Sequence, residues 1–575
     1  MKIIIKKKFH KNPCNRCSII IILGLFVLSQ NVNSQSVYVP LNHWVYNFIE
    51  RLETKHVIQG VLNETKPLSR KEIAECLSMV HRKIEQGYNL NKVEQQQLSF
   101  LNKEFKEELT KLVKHLKDDR TRIKKIRNNK YIKKFLPRII YHNDRNFLSW
   151  EQDQFQLFFD PIFHHQRKYI NIYSLSYTEK IFQFTNGMRI WGNLRDRLGF
   201  FIDARDNKEW GTKKYRLGNY TLPGLGFVRA TATDFIYHDE TDAYIKTGFK
   251  YINLTYGKFE NYWGPGYTGS LILSNYATSY DQLKLDIEYK RFKFTSIYAY
   301  LIDYHDQHDD SLQQRKYLAG HRLEFTPWNW LSLGLTETVV FAGRSFEPAY
   351  LNPVMFFRSA EHYLGSPDNM MMGIDFKFTL FRNVKLYGEL LIDDITSPKL
   401  GTGWYGNKLG FLAGLFNADF LTIENLDCNL EYVRIEPYVY SHIKSGNSYN
   451  HYGTILGHWL DPNSDLLFMQ LMYRFSKQMT IACYASLQRH GANPKDKNVG
   501  GDVNFSFRSG IDSETVYFLD GDPEKNNSFG LDFSYEIFRN FYVKINYKYH
   551  IVRRFNVQDR KVISYKFFMS LGLNY

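Results

Sequence analysis

A two-residue alternation of apolar and polar side chains runs through the last three quarters of the chain and limits the folds open to it. Successive side chains of a β-strand point to opposite faces, so each such strand has one apolar and one polar face. Burying lysines of the polar face, such as Lys566, in a dry core would be costly, so that face must meet water. The pattern is clearest in the final segment, where Ile563, Tyr565, Phe567, Met569, Leu571, Leu573 and Tyr575 alternate with Ser564, Lys566, Phe568, Ser570, Gly572 and Asn574.

An apolar face in lipid and a polar face toward a lumen are typical of a transmembrane β-barrel, which in single-chain form has an even number of strands. We therefore predict a mainly-β fold, an antiparallel transmembrane β-barrel of about 18 strands. Tight turns such as Ser476-Lys477 alternate with long connections such as 342–368, an asymmetry that a soluble β-sandwich does not explain. The predicted strands are 168–177, 182–192, 197–206, 241–250, 251–259, 282–290, 292–303, 316–326, 329–341, 369–380, 384–394, 407–418, 427–440, 465–475, 478–489, 526–537, 540–551 and 562–575.

Composition excludes several other classes of protein. A mean hydropathy of -0.42 with 23% charged residues excludes a helical membrane bundle, and 16% aromatic residues exclude a disordered chain. The formal net charge of +16 comes entirely from residues 1–150, because residues 151–575 hold equal numbers of basic and acidic side chains. We therefore expect no nucleic-acid partner for the barrel.

Residues 1–34 have the pattern of a signal peptide: a basic stretch to Arg16, an apolar stretch from Ile19 to Leu28, and small residues before position 35. A signal anchor is the alternative, although the apolar stretch is short for a bilayer span. Three widely spaced cysteines remain after it, which indicates packing residues and neither a disulfide framework nor a zinc site.

Residues 35–150 have a helical period instead. Apolar residues recur every three or four positions in three stretches, and Ser69 with Glu72 forms a predicted capping box at the start of the second. We predict a small periplasmic helical domain with a basic linker over 35–150 and an outer-membrane barrel over 151–575. The linker stretch 111–138 holds twelve Lys or Arg residues, either as a solvated surface or as a contact for an anionic partner.

Several motifs stand out in the N-terminal region and in the long connections. They are Val39-Pro40-Leu41, Trp44, Leu52, Pro67-Leu68-Ser69-Arg70, Tyr262-Trp263-Gly264-Pro265-Gly266, Gly269-Ser270-Leu271-Ile272-Leu273-Ser274-Asn275, Glu347-Pro348-Ala349-Tyr350-Leu351-Asn352-Pro353-Val354, Ser366-Pro367-Asp368-Asn369, Glu436-Pro437-Tyr438, Tyr440-Ser441-His442, Asn450-His451-Tyr452-Gly453, Leu456-Gly457-His458 and Pro462-Asn463-Ser464-Asp465. In their order and spacing they resemble motifs of the Wzi-type capsule-assembly outer-membrane proteins, in the form found in Bacteroidetes. The resemblance covers about residues 36–575 and implies an eighteen-stranded barrel with a periplasmic helical bundle, which holds capsular or exopolysaccharide at the cell surface without catalysis.

Aromatic residues in the predicted outer loops are the candidate polysaccharide-binding residues, because the apolar faces of sugar rings lie on Trp and Tyr. The alternatives are that these rings pack the loops together or form the interfacial girdle of the barrel. The candidates are Trp263, Tyr267, Tyr280, Trp404, Tyr405 and Trp459.

The sequence predicts neither catalytic residues nor a cofactor nor a metal site. It contains no G-x-S-x-G, H-E-x-x-H or phosphate-cradling motif. The stretch 304–310, rich in His and Asp, is compatible with a cation site but also with a solvated loop.

We therefore expect a polysaccharide-retention barrel in the outer membrane of a Gram-negative bacterium. Its expected partners are capsular or exopolysaccharide, outer-membrane lipid, and the barrel assembly machinery, which would read the C-terminal strand ending in Tyr575. A porin or selective uptake channel for sugars is the alternative, since eighteen strands are enough to enclose an aqueous lumen. An outer-membrane hydrolase is a third hypothesis, which the lack of a catalytic motif disfavours.

Overall fold

A closed antiparallel barrel of 18 long strands forms the body of the protein. The computed structural model describes residues 36–112, 145–152, 154–173, 176–195, 197–212, 229–230, 235–303, 314–365, 368–554 and 560–574. The predicted signal peptide and most of the basic stretch 111–138 lie outside these ranges, so both stay predictions. Within the described residues, no helix has the length and apolarity needed to cross a bilayer.

Each barrel strand pairs with its neighbours in chain order, and the last strand closes the barrel on the first, with Leu573 opposite Phe163. The predicted fold class is therefore confirmed. The strands are β1 Phe155–Ile172, β2 Tyr177–Leu194, β3 Leu198–Gly211, β4 Ile236–Gly248, β5 Ile252–Phe259, β6 Tyr280–Tyr289, β7 Phe292–Ile302, β8 Arg315–Trp328, β9 Leu331–Ala342, β10 Asn369–Phe378, β11 Val384–Asp394, β12 Lys408–Asn417, β13 Leu426–Ile435, β14 Ser464–Arg474, β15 Met479–Ala492, β16 Asp522–Phe538, β17 Phe541–Arg554 and β18 Arg560–Leu573.

Several predicted strand boundaries are wrong by about five residues or more, and two of these differences have a clear physical reason. The first strand spans Phe155–Ile172 and not 168–177, because the apolar Phe158 and Ile162 face the lumen while the charged Arg167 faces outward, which hides the alternation. The strand predicted at 427–440 ends at Ile435, and Tyr438 and Tyr440 after it have positive φ angles of 62° and 70°, which turn the chain. An L-residue with such an angle does not continue a strand.

The two faces of the wall separate as the alternation predicts. On β18, Phe567, Met569 and Leu571 are exposed outward, whereas Ser564 and Ser570 are buried toward the lumen. On β8 the lumen face is charged, and the Arg322 guanidinium binds the Asp375 carboxylate of β10 at 2.5 and 2.9 Å. The outside of the barrel is therefore suited to lipid and its inside to polar partners.

A helical domain with its own core precedes the barrel. Its helices are α1 Val45–Thr54, α2 Arg70–Glu85, α3 Lys92–Glu104 and α4 Lys106–Leu112. The predicted capping box starts α2, with the Ser69 hydroxyl accepting the Glu72 backbone N–H and the Glu72 carboxylate accepting that of Ser69. Their apolar faces bury a cluster that includes Leu52, Leu77 and Leu101.

The helical domain sits in the end of the barrel that carries the tight turns. Charged side chains of the barrel reach it from several strands and one turn, and the basic side chain of each ion pair is almost fully buried. They are Arg51–Asp427, Arg51–Asp419, Lys377–Glu53 at 2.8 Å, Lys377–Glu64 at 2.9 Å, Lys385–Glu50 and Lys293–Glu72 at 2.6 Å. Such pairing offsets the cost of dehydrating the charges and fixes the domain at one end of the lumen.

Candidate functional site

The connection between β5 and β6 fills the lumen instead of extending into solvent. Its residues Tyr262 and Trp263 pair in antiparallel register with Lys66 and Thr65 of the helical domain. The Gly264 backbone N–H also donates to the Glu64 carbonyl at 2.9 Å. We call residues 260–279 the lumen loop. It crosses the interior from the long-loop end and meets the helical domain, which enters from the other end.

Two carboxylates on the lumen face hold this loop in place. Glu389 of β11 accepts the backbone N–H groups of Gly266 and Leu271 at 3.1 and 2.7 Å. Glu431 of β13 accepts those of Tyr267 and Thr268 at 2.6 and 2.9 Å. The wall thus supplies the acceptors for these four backbone N–H groups of the loop. Buried polar groups require such hydrogen-bond partners.

The Gly264-Pro265-Gly266 turn is shaped by the same contact. Gly264 has a φ of 130°, and a Cβ atom there would lie 2.4 Å from Glu389 Oε1. Only glycine permits both the backbone angle and this close approach. This motif, which carries part of the sequence resemblance, therefore serves to pack the lumen.

A second segment, residues 436–463 between β13 and β14, covers the lumen loop. The Ser274 N–H donates to the Leu456 carbonyl at 2.8 Å, and the Tyr440 hydroxyl donates to the Leu271 carbonyl at 2.5 Å. Burial lowers the pKa of the His458 imidazole to about 3, so this ring is neutral beneath the segment. The two segments share one apolar core at the long-loop end of the barrel.

Four of the six aromatic candidates belong to this core. Trp263 is 1% exposed and Tyr280 is 4% exposed, so neither ring presents a face to solvent. Tyr267 and Trp459 are half-buried against the core, and the Trp459 indole N–H donates to the Thr268 carbonyl at 2.9 Å. Tyr280 begins strand β6 and does not lie in an outer loop as predicted, and all four rings pack segments together, the alternative role considered for these aromatic residues.

The other two candidates lie at the rim, where two long connections meet. Residues 395–407 and 493–521 are joined by backbone hydrogen bonds from Val516 N–H to Gly403 carbonyl at 2.7 Å and from Tyr405 N–H to Glu514 carbonyl at 3.0 Å. The Tyr405 ring stacks on Phe507 with centroids 3.6 Å apart. Trp404 is half-buried and carries the Lys399 ammonium 4.2 Å above its ring.

Tyr517 completes this group of rings, which we call the rim patch: Trp404, Tyr405 and Tyr517. The Tyr517 ring is 58% exposed and lies against Gly403, where a Cβ atom would come within 2.8 Å of the ring. Gly403 has a φ of 74°, so glycine is required for the turn as well as for the contact. The patch is thus held in place by the two connections, with Tyr517 exposed to solvent and Trp404 and Tyr405 half-buried.

Sequence reasoning did not find Tyr517, Glu389 or Glu431. Tyr517 was recognisable from the sequence as a Tyr in a long outer connection. The two glutamates were recognisable only as inward-facing residues of alternating strands, a property that many lumen residues share. Their importance depends on where the lumen loop folds.

No group of three or more His, Cys, Asp or Glu side chains in the described ranges has the geometry of a metal site. The stretch 304–310, considered above for a cation, lies outside those ranges.

Comparison with known proteins identifies the family of this chain. A family model described as capsule assembly protein Wzi matches residues 163–562. The solved structure of Wzi from Escherichia coli, described as an outer membrane protein involved in group 1 capsule assembly and a carbohydrate binding β-barrel, is similar with a TM-score of 0.54. The match has 15% identity and covers 94% of this chain and all of that one.

Other solved barrels are less similar. OccAB2 of Acinetobacter baumannii has a TM-score of 0.41 at 10% identity, covering 72% of this chain and 97% of its own. OccD3 of Pseudomonas aeruginosa has a TM-score of 0.40 at 11% identity, covering 72% and 91%. Scores this low support no conclusion. No curated protein sequence matches the chain. Since the family model spans well over half of the sequence, within a closed barrel with a lipid-suited wall, this protein is an outer-membrane β-barrel that belongs to the Wzi capsule assembly family.

Proposed function

We propose that this protein is a non-enzymatic barrel that assembles and retains capsular or exopolysaccharide at the cell surface through lectin-like outer loops. Membership of the capsule assembly family supports this role. The description of the similar E. coli barrel as carbohydrate binding supports the same class of ligand. The polymer, in this proposal, is held at the long-loop end.

In the same proposal the long connections face the outside and the helical domain faces the periplasm. Both ends of the barrel chain, at Phe155 and Leu573, lie at the tight-turn end, as in barrels whose termini are periplasmic. The C-terminal strand is then available to the barrel assembly machinery, and the apolar wall contacts outer-membrane lipid.

The rim patch is the observation that carries the binding proposal. Trp404, Tyr405 and Tyr517 are held by inter-loop hydrogen bonds, so they need little ordering when a ligand binds. Tyr517 offers an exposed flat apolar face, the half-buried Trp404 carries Lys399 over its ring as a polar partner, and Tyr405 supports both from its stack on Phe507. In this proposal Trp263 and Tyr280 pack the core below the outer surface, and Tyr267 and Trp459 pack the lumen loop against residues 436–463.

The test is a double substitution in the rim patch, Trp404→Ala with Tyr517→Ala. Each lost stacking partner should cost about 1 kcal/mol, or about fivefold in affinity for one sugar unit. Because a polymer binds at many points, such losses multiply along its length. We expect normal amounts of barrel in the outer membrane, with polymer released into the medium. Cell-bound and released polymer are measured per unit of barrel.

The matched control removes the same two ring types at the opposite end, Trp328→Ala with Tyr289→Ala. Both are exposed at the tight turns and should leave polymer retention unchanged. Full retention in the rim-patch variant, at wild-type barrel abundance, would exclude these rings as the binding surface.

A porin or sugar uptake channel remains the second candidate function, and the filled lumen argues against it. The lumen loop and the helical domain meet inside the barrel through paired backbone segments. We therefore expect a silent bilayer recording from the intact protein. Steady ion conductance with selective block by sugars would favour the uptake channel instead.

A further inference from the structure

The connection between β9 and β10 runs down the outside of the barrel. On β8, Lys316 and Arg322 reach partners inside the lumen, so the odd-numbered residues of this strand face outward. The odd-numbered residues of β9 do the same, by the register that pairs Ala319 with Val339. One apolar cluster joins these outward residues to the connection: Ala319, Val339, Phe341, Tyr350, Phe357, Ala360 and Met370.

Specific contacts attach the connection to two polar residues of the outer wall. The Phe357 ring lies 4.0 Å from the His321 ring, centroid to centroid. The Phe357 backbone N–H donates to both carboxylate oxygens of Glu337, at 3.0 and 3.1 Å. His321 and Glu337 stand on the face that elsewhere meets lipid, where an uncovered charge is costly. The connection covers both.

The depth of this contact in the membrane can be judged from the aromatic residues that mark the membrane interface at the tight-turn end. Trp328 and Trp330 stack there with centroids 5.3 Å apart, and such aromatic residues mark the membrane interface. Glu337 follows Trp330 by about seven residues, which at about 3.4 Å per residue and a tilt of about 40° places it about 18 Å above the girdle. The apolar band of such barrels is about 25 Å tall. Glu337 and Phe357 therefore lie within the band, in its half nearer the long loops.

The outer surface of the connection is itself apolar. Val354 is 87% exposed, Tyr363 is 91% exposed and Phe356 is 53% exposed. They continue the exposed wall residues Leu335 and Ile374 directly below. The exposed Arg358 pairs with Glu361 at 3.4 Å, and its long side chain is of the kind that reaches the headgroup region.

We propose that residues 343–365 form a membrane-inserted flap, which lies among the lipid acyl chains of the leaflet on the long-loop side. Val354, Phe356 and Tyr363 contact the acyl chains, and Phe357 shields Glu337 and His321 from them. Continuity with the lipid-facing wall identifies lipid, and not a second copy of the chain, as the occupant of this surface. The inference requires only the barrel in a bilayer and is independent of polysaccharide binding.

A nitroxide spin label at Val354→Cys tests the proposal in the full-length protein reconstituted into phospholipid vesicles. The background is Cys483→Ala with Cys14→Ser and Cys17→Ser, because Cys483 is exposed whereas Cys76 and Cys428 are buried, and the two N-terminal thiols would also take the label if retained. Leu335→Cys, on the wall, and Ser509→Cys, exposed in a long connection, are the lipid and water references. Power saturation measures collision of each label with oxygen, which partitions into lipid, and with a water-soluble nickel chelate.

We expect the label at position 354 to favour oxygen over nickel several-fold, as at position 335, and the label at position 509 to favour nickel. Tyr363→Cys serves as a second flap variant, and heat-modifiable gel mobility confirms that each barrel is folded. A position-354 label that behaves like the one at 509 would put the flap in water and overturn the proposal. Exclusion of both reagents would do the same, since it would show the surface covered by protein, such as a second copy.

Discussion

A side chain in the barrel wall meets one of two environments, lipid or lumen, and its depth decides how strongly a charge is penalised there. The tight-turn end of β18 is at Leu573, so Leu571 lies near the rim and Phe567 near the middle of the apolar band. Both are exposed outward, and Ser570 between them is buried toward the lumen opposite Lys544.

Phe567→Arg should therefore reduce the free energy of unfolding by about 2–4 kcal/mol, and Leu571→Arg by about 1 kcal/mol or less. Ser570→Asp is the lumen control, because its carboxylate would lie beside the Lys544 ammonium, and we expect a small change. Urea titration of the protein in lipid vesicles measures all three. Equal losses at positions 567 and 571, or a large loss at 570, would contradict the assigned depth or face.

Urea titration, together with a measurement of polymer binding, separates the aromatic residues that pack the fold from those proposed to bind polymer. Trp263 fills the core of the lumen, so Trp263→Ala should cost about 3–5 kcal/mol of unfolding free energy. Trp404 is half-exposed at the rim, and Trp404→Ala should cost far less while weakening polymer binding. Binding is measured on the folded fraction only. A stable Trp263→Ala barrel with lost polymer binding would reverse the two assignments.

The lumen loop is an element whose position depends on a few hydrogen bonds from the wall. The Glu431 carboxylate accepts two backbone N–H groups of the loop, the Thr268 hydroxyl and the Tyr387 hydroxyl at 2.9 Å. Removing that carboxylate leaves buried donors unpaired, at about 1–3 kcal/mol for each such group.

Glu431→Ala should accordingly loosen the lumen loop, and Glu431→Gln should do so less, because the amide keeps one accepting oxygen. Ala277→Cys, buried in the loop, reports the change through its rate of labelling by a water-soluble maleimide, in the Cys483→Ala background. We expect several-fold faster labelling with Glu431→Ala. Glu436→Gln on the same side of the barrel, whose carboxylate pairs with Arg434, should not alter the rate. Unchanged labelling in Glu431→Ala would show that other contacts hold the loop.

At the scale of the whole molecule, buried ion pairs dock the helical domain to the barrel, and they make docking dependent on pH. Burial alone would raise the pKa of Glu104, but Arg539 and Arg70 outweigh it and lower the pKa to about 2. Glu64 behaves alike, since Lys377 and Lys66 overcome the effect of burial and lower its pKa to about 2. A carboxylate with a lowered pKa stabilises the docked state above its unfolded pKa of about 4.5 and loses that contribution as the pH falls toward 2.

The contribution of Glu64 and Glu104 to docking should therefore be complete above about pH 5 and be lost progressively between about pH 4.5 and pH 2. Hydrogen-exchange protection of the α1 and α3 amides, corrected for intrinsic rates, measures the change. Arg539→Ala removes the cation beside Glu104 and should raise the pKa of that carboxyl toward its unfolded value, so protection should be lower at neutral pH and its further loss between about pH 4.5 and pH 2 should be smaller. Protection that declines as the pH rises from 5 to 8 would have the wrong sign for this mechanism.

The number and order of the strands were predictable because lipid and lumen impose opposite polarity on alternate residues, and that signal is local. The capping box of α2 was predictable for the same reason, since Ser69 and Glu72 are three residues apart. The first strand was misplaced because Phe158 and Ile162 face the lumen and Arg167 faces outward, against the usual alternation. Local pattern thus predicts the wall, and fails where each face of a strand mixes apolar and polar residues.

By itself, the sequence determined a closed barrel with a helical domain before it, because amphipathic strands of this length have few other ways to satisfy their backbone and both faces. The tertiary structure alone decided which aromatic rings are available to a ligand. Trp263 and Trp404 are both tryptophans in long connections, yet one is buried and the other lies at the rim. The difference arises because Trp263 pairs with Thr65, about two hundred residues away in the chain, and contacts at that separation leave no mark in the local sequence.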